Sequence, residues 1–444
     1  MIQNNLKTNK MKQFKYIYAL LLLCCSVGIA QQTPASKQSK AIAIIGATAH
    51  IGNGQVIENS IITFSDGKIT NVADATSVRV NSSTMDIIDA TGKHVYPGFI
   101  TSNSSLGLVE VNAVRASNDQ RETGNIKPHI RSLIAYNAES KVVESMRPNG
   151  VLVGQISPKG GRISGTSSVM QFDAWNWEDA AVKVDDGIHV TWPNSYSFGR
   201  WWLGEDPGVK LNKDYANQIE ELRTLIKDSK AYLKGNRATK NIPFEAMKGL
   251  YNGSQQLYIH VDDERGITDA IAFAKANDIK NMVIIGGSEA HKVTDLLKEN
   301  NIGVLVNHTH RLPGSSDDDY DLPYKTPKLL MDAGITVGMH TGNVSNFQTR
   351  NLPFYAGTAA REGIDKEDAL KLITSNTAKL LGIDNRLGTL ETGKDATLFI
   401  SEGDALDMRT NQLTHAFIEG RMISLETHQT ELWKRYSKKI NGTD

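Results

Sequence analysis

Between residues 150 and 341 the chain repeats one rhythm: a short β-branched run ending in glycine or polar residues, then an amphipathic stretch. The runs are "GVLVGQIS" (150–157), "QQLYIHVD" (255–262), "KNMVIIGG" (280–287), "NIGVLVNHT" (301–309) and "GITVGMHT" (334–341). Between the later ones lie "ERGITDAIAFAKAND" (264–278), "EAHKVTDLLKEN" (289–300) and "KTPKLLMDAG" (325–334), whose apolar residues recur at helical spacing. Strands that alternate with helices in this way make a parallel sheet, because a crossover helix must carry the chain back to the starting edge. Residues 98–385 are enough for a distorted (β/α)8 TIM barrel, an α/β fold. An open doubly wound sheet fits less well, since no glycine-rich phosphate loop follows a first strand.

The two ends have a different character. "AIAIIGATAHIG", "SIITFSDGKITNVA" and "MDIIDATGKHVYPGF" are short alternating runs with turns at Asp66-Gly67 and Thr91-Gly92. "LGTLETGKDATLFISEGD" and "LTHAFIEGRMIS" match them near the C-terminus. Residues 41–97 and 386–425 are therefore expected to form one composite β-sandwich with the barrel inserted, followed by a helix or tail over 426–444. Residues 174–209 break the barrel rhythm and hold five of the six tryptophans. They read as an insertion packed over one barrel mouth, or as an aromatic wall beside a ligand.

Residues 1–30 read as a signal peptide. Lys12 and Lys15 precede an apolar core too short to span a bilayer, and small residues Gly28 and Ala30 precede Gln31. A polar linker, 31–40, follows. The expectation is export to a bacterial periplasm or the cell exterior, with no membrane span once the leader is removed. Both cysteines, Cys24 and Cys25, lie inside that apolar core. The mature chain then has no thiol for a disulfide, a metal or nucleophilic attack. Lys+Arg and Asp+Glu number 49 each, which gives no electrostatic case for nucleic acid.

Functional groups of a parallel barrel sit at the C-terminal ends of its strands. Those ends carry His260, His308 and His310, and His340, with Asp262 beside the first and Arg162 after "QISPKGG". The four imidazoles could converge into a zinc or other divalent metal site with carboxylate support; each taken singly reads as an ordinary polar strand terminus. "GGRISGTSS" has the composition of an anion-cradling loop but lacks the lysine and spacing of a nucleotide loop. The acidic run Asp317-Asp318-Asp319 lacks a calcium-loop pattern and reads as solvated surface.

"VYPGFI" (95–100), "RNLPFYAGTAAREGIDKEDALKLITSNTAKLLGID" (350–384) and "RLGTLETGKDATLFISEGDAL" (386–406) resemble the amidohydrolase superfamily, closest to its imidazolonepropionase-like members. The resemblance implies the barrel and composite sandwich already described, and hydrolysis of carbon–nitrogen bonds such as those of cyclic amides. It also implies an Asp-x-His-x-His motif after "PGFI", where this chain has Thr101, Asn103 and Ser105. The family's last-strand aspartate, ligand and general base, corresponds to Asn343, and the sixth-strand histidine falls near Gly286, Gly287 and Glu289. Its fifth-strand histidine corresponds to His260. A neutral amide or hydroxyl neither holds zinc as imidazole does nor serves as a base. The resulting expectation is a ligand-binding protein or a partner subunit of an amidohydrolase-like chain. The alternative is a hydrolase whose site is shifted onto His260, His308, His310 and His340, with any metal bound only there.

Overall fold

The computed structural model describes residues 33–79, 83–199, 201–206, 208–235, 239–315 and 317–442. The expected signal peptide, with Cys24 and Cys25, lies outside them. On the N-terminal side β1 (Ala41–His50), β2 (Val56–Ser65), β3 (Lys68–Asp74), β4 (Met85–Asp89) and β5 (His94–Pro97) share one sheet. The β2–β3 hairpin turns at Asp66 and Gly67, both at positive φ (51° and 77°), as a tight two-residue turn requires.

The barrel strands are β6 (Phe99–Ser104), β7 (Val151–Ile156), β8 (Ile163–Gln171), β9 (Ala181–Thr191), then, after a small hairpin of β10 (Tyr196–Phe198) and β11 (Val209–Leu211), β12 (Gln256–Val261), β13 (Met282–Gly286), β14 (Gly303–Val306) and β15 (Val337–Met339). They run in that order around one sheet, and a parallel bridge between Ser102 and His340 brings its two edges together. Seven strands are parallel; β8 is antiparallel to both neighbours. The loop-like "GGRISGTSS" is thus the start of a strand. Likewise β9 lies inside the segment expected to be an insertion, so only the flanks of 174–209 stand outside the barrel wall.

Finally β16 (Leu398–Ser401), β17 (Leu413–Ile418) and β18 (Arg421–Met422) return to the first sheet, in the order β18-β17-β16-β5-β1-β2-β3 with β4 on β1. Ile44, Ile62, Phe64, Leu398, Ile400 and Phe417 form its core, each fully buried. Each such side chain contributes roughly 1.5–3 kcal/mol relative to exposure. No described helix is long and apolar enough to cross a membrane.

Gly98 is where the chain leaves one sheet for the other. Its N–H donates to the Thr397 carbonyl beside β16, and the next N–H, of Phe99, donates to the Gly150 carbonyl beside β7. A Cβ there would lie 2.9 Å from Thr397 Cγ2 and 3.1 Å from Leu152 Cδ1. The Pro-Gly pair is therefore a packing requirement, and it fixes where β6 begins and which residues reach the mouth.

Candidate functional site

The C-terminal ends of the parallel strands surround a cleft of about 1050 Å³, walled on one side by Trp192 and Tyr196. His260, His340, Arg162, Asp262 and Asn343 all line it. His308 is half-buried against the Tyr355 ring. His310 packs on the same ring, is exposed, and is tied by Nε2 to Thr358 Oγ1 at 2.7 Å on the helix Leu352–Arg361; unlike His260 and His340, neither lines the cleft.

Beneath the cleft, β6 bulges. Its pairing with β7 shifts between Thr101 and Ser104, and Asn103 takes φ +49°. Asparagine tolerates that left-handed conformation better than most residues. The turn buries Asn103 and aims its carbonyl and carboxamide oxygens at one cation: Lys159 Nζ donates to them at 3.1 and 3.0 Å. Gly342 backs onto Asn103 so closely that a Cβ would sit 2.3 Å from Asn103 Nδ2. Lys159 projects from the β7–β8 turn "SPKGGR". Burial, with the charge of Arg121, pushes its ammonium down to about 8.

Deeper in the barrel a polar network supports this arrangement. The Asn103 N–H donates to Gln155 Oε1 at 3.0 Å, and Gln155 Nε2 donates to Asp186 Oδ2 at 2.8 Å. Asp186 also accepts from Tyr258 Oη (2.6 Å) and Ser167 Oγ (2.7 Å) and is fully buried, which raises its pKa. His189, also on β9 and fully buried, meets His260 with Nδ1 and Nε2 at 2.9 Å. Burial, aided by the Lys159 charge, lowers His260 to about 3 and holds His189 and His340 well below the ordinary imidazole range. All three rings are neutral at physiological pH.

The other positions singled out in the sequence make local bonds. Thr101 Oγ1 pairs with Thr341 Oγ1 at 2.7 Å, Ser105 Oγ donates to Asn346 Oδ1 at 2.9 Å, and Asn343 Nδ2 donates to Asn307 Oδ1 at 2.6 Å. Lys159, His189, Asp186 and Gln155 escape sequence reading. The lysine before Gly160-Gly161 is the one signal that could have drawn attention to the turn.

The donors at this mouth do not fit a divalent metal. Asn103 Oδ1 is taken by an ammonium, and the facing nitrogens of His189 and His260 are spent on each other. A fixed cation beside them opposes a second one. Among the described residues no group of three or more His, Cys, Asp or Glu side chains could hold a metal ion. What the cleft offers is two neutral imidazoles, His260 and His340, two guanidiniums, Arg162 and Arg311, and four carboxylates, Asp262, Asp263, Glu289 and Asp318, with the Lys159 ammonium beneath it.

Residues 325–423 match the model of the amidohydrolase family. An adenine deaminase of Clostridium botulinum is 24% identical over 407 residues, 87% of this chain. The chain spans 58% of that deaminase's length. Among solved structures, an amidohydrolase from Thermotoga maritima superposes with a TM-score of 0.74 at 24% identity, covering 86% of this chain and 99% of its own. Molinate hydrolase gives 0.52 at 16% identity, over 89% and 96% of the two chains.

Proposed function

We propose that this chain, which carries the amidohydrolase family signature in its C-terminal quarter and the amidohydrolase fold around it, binds a small organic ligand at the barrel mouth without the family's metal centre. The observation that supports this reading is the Lys159 ammonium seated on both oxygens of Asn103. An ammonium there does electrostatically part of what a metal would do, but it cannot lower the pKa of a bound water by coordination. Export through residues 1–30 and association with an amidohydrolase-like partner subunit belong to the same proposal. Elemental analysis of the purified chain tests it: zinc, manganese or iron far below one per chain is expected. A stoichiometric metal that survives dialysis against chelator refutes the reading.

The second reading is hydrolysis of carbon–nitrogen bonds by the histidines of the mouth. The relative named as an adenine deaminase supports it. Turnover of cyclic amides or aminopurines in chelator, lost in His340→Gln, is its expected sign.

A further inference from the structure

Two donors that line the cleft lack an acceptor, and an ammonium beneath it, whose charge reaches His340, has only neutral ones, while the carboxylates around them have donors of their own. The Gly342 N–H occupies His340 Nδ1 at 3.0 Å, which puts the proton of the neutral ring on Nε2. That nitrogen is buried and meets no acceptor, in a residue 1% exposed that lines the cleft. Arg162 Nη1 donates to the Thr191 carbonyl at 2.8 Å, yet its buried Nε has no partner. The Lys159 ammonium is held by two neutral oxygens, and the nearby charge of Arg121 is also positive. By contrast, Asp262 Oδ1 accepts from Ser288 Oγ at 2.7 Å, and Asp263 Oδ1 accepts from the Gly266 N–H and Ser195 Oγ at 2.9 and 2.8 Å. Glu289 accepts from Lys292 Nζ and from the Glu264 N–H, both at 2.7 Å.

We infer that the barrel mouth is built to receive a carboxylate borne by a small organic ligand, between the Nε2–H of His340 and the Lys159 ammonium, with Arg162 at the rim. The inference rests on the proposal that the cleft holds an organic ligand, and it names that ligand's chemistry. A buried donor without an acceptor is costly, and a bound oxygen removes the cost. A charged oxygen serves better than a neutral carbonyl, because an ammonium out of water needs a countercharge. The low pKa of Lys159 is the mark of a cation missing its counterion, and it still leaves the group protonated at neutral pH. The rest of the ligand has the cleft, with Trp192 and Tyr196 as a wall.

The test is thermal unfolding and titration calorimetry of the full chain in chelator, at neutral pH and fixed ionic strength. The probes are succinate, inorganic phosphate and the neutral isostere succinamide. Succinate is expected to raise the midpoint saturably and succinamide to leave it unchanged. Lys159→Met, with native circular dichroism, lowers succinate affinity about tenfold or more, as loss of a charge-assisted hydrogen bond does. Arg162→Gln, at the rim, weakens it less and stands in should the Lys159 variant not fold. Equal stabilisation by succinamide, a response to phosphate alone, or unchanged succinate affinity in the folded variants overturns the assignment. The two proposals fail separately. Chelator-resistant stoichiometric metal defeats the metal-free reading whatever succinate does, whereas a metal-free chain indifferent to succinate defeats only the carboxylate.

Discussion

Lys159 Nζ lies 3.0 Å from Asn103 Oδ1 and 3.1 Å from the carbonyl oxygen of the same asparagine. One residue thus supplies both acceptors of an ammonium, and it can do so because its backbone turns left-handed inside a strand. The contact joins the first barrel strand to the β7–β8 turn, and the chemistry of the mouth follows from it.

Asn103→Ala removes one acceptor and leaves at φ +49° a residue without asparagine's tolerance of that conformation. The lost hydrogen bond to a charged group is worth about 1.5–3 kcal/mol. The backbone strain adds at most about 1–2 kcal/mol, since asparagine bears part of it already. Asn103→Gly keeps the first cost and relieves the second. Urea titrations of the two variants are expected to rank them Gly above Ala and both below wild type; equal midpoints would remove Asn103 from the account.

Stability should rise with alkaline pH. Lys159 has a folded-state pKa of about 8 against 10.5 in the free side chain. Between those values the unfolded chain binds more protons, so the free energy of unfolding increases as pH climbs through the window. The urea midpoint at the upper end should exceed that near neutrality, and Lys159→Met should flatten this contribution. A variant with the same pH profile as wild type would contradict the burial of the ammonium.

Asp186→Asn puts an amide among three groups that donate to the carboxylate: Tyr258, Ser167 and Gln155. The amide keeps an acceptor for only two of them and turns its N–H₂ on the third, Ser167, which must redirect its proton, at a cost of about 1–3 kcal/mol. Because Gln155 also accepts from the Asn103 N–H, succinate binding is expected to weaken along with stability. A destabilised variant with intact binding would disconnect the network from the mouth.

Gly98→Ala forces a methyl toward Thr397 Cγ2 and Leu152. Overpacking of this kind costs about 1–3 kcal/mol. Adding Thr397→Ser removes the methyl on one side and should recover part of the loss, seen as a favourable coupling in a double-mutant cycle. Additive effects would mean that the crossing is not limited by this contact.

The parallel strands are legible in the sequence because their buried positions are β-branched and the helices between them are amphipathic. "NMVIIGG" and "GITVGMHT" announce β13 and β15 directly. β8 and β9 do not announce themselves. Ser167, Asp186 and His189 point polar groups into the network under the mouth, so hydrophobic periodicity sees loops where strands run. The same polarity hides half of the candidate site: His189 sits in a strand that does not read as one, and Lys159 before two glycines looks like solvent-exposed turn. His260 and His340 are found from the sequence because they follow apolar runs. That His310 leaves them for Thr358 depends on a tertiary contact that no local pattern encodes.

The pairing of β5 with β16 also sets an order of events in synthesis. Pro97 and Leu398 are register partners, yet several hundred residues separate their emergence from the ribosome. Until the last strands exist, β5 has an unpaired edge on the side that β16 will cover, and the aromatic packing of Tyr96 and Phe99 on Phe399 cannot form. The first strands made are therefore among the last to find all their neighbours. Nonsense truncation anywhere in the barrel thus leaves the β5 edge without its partner strand and open to aggregation.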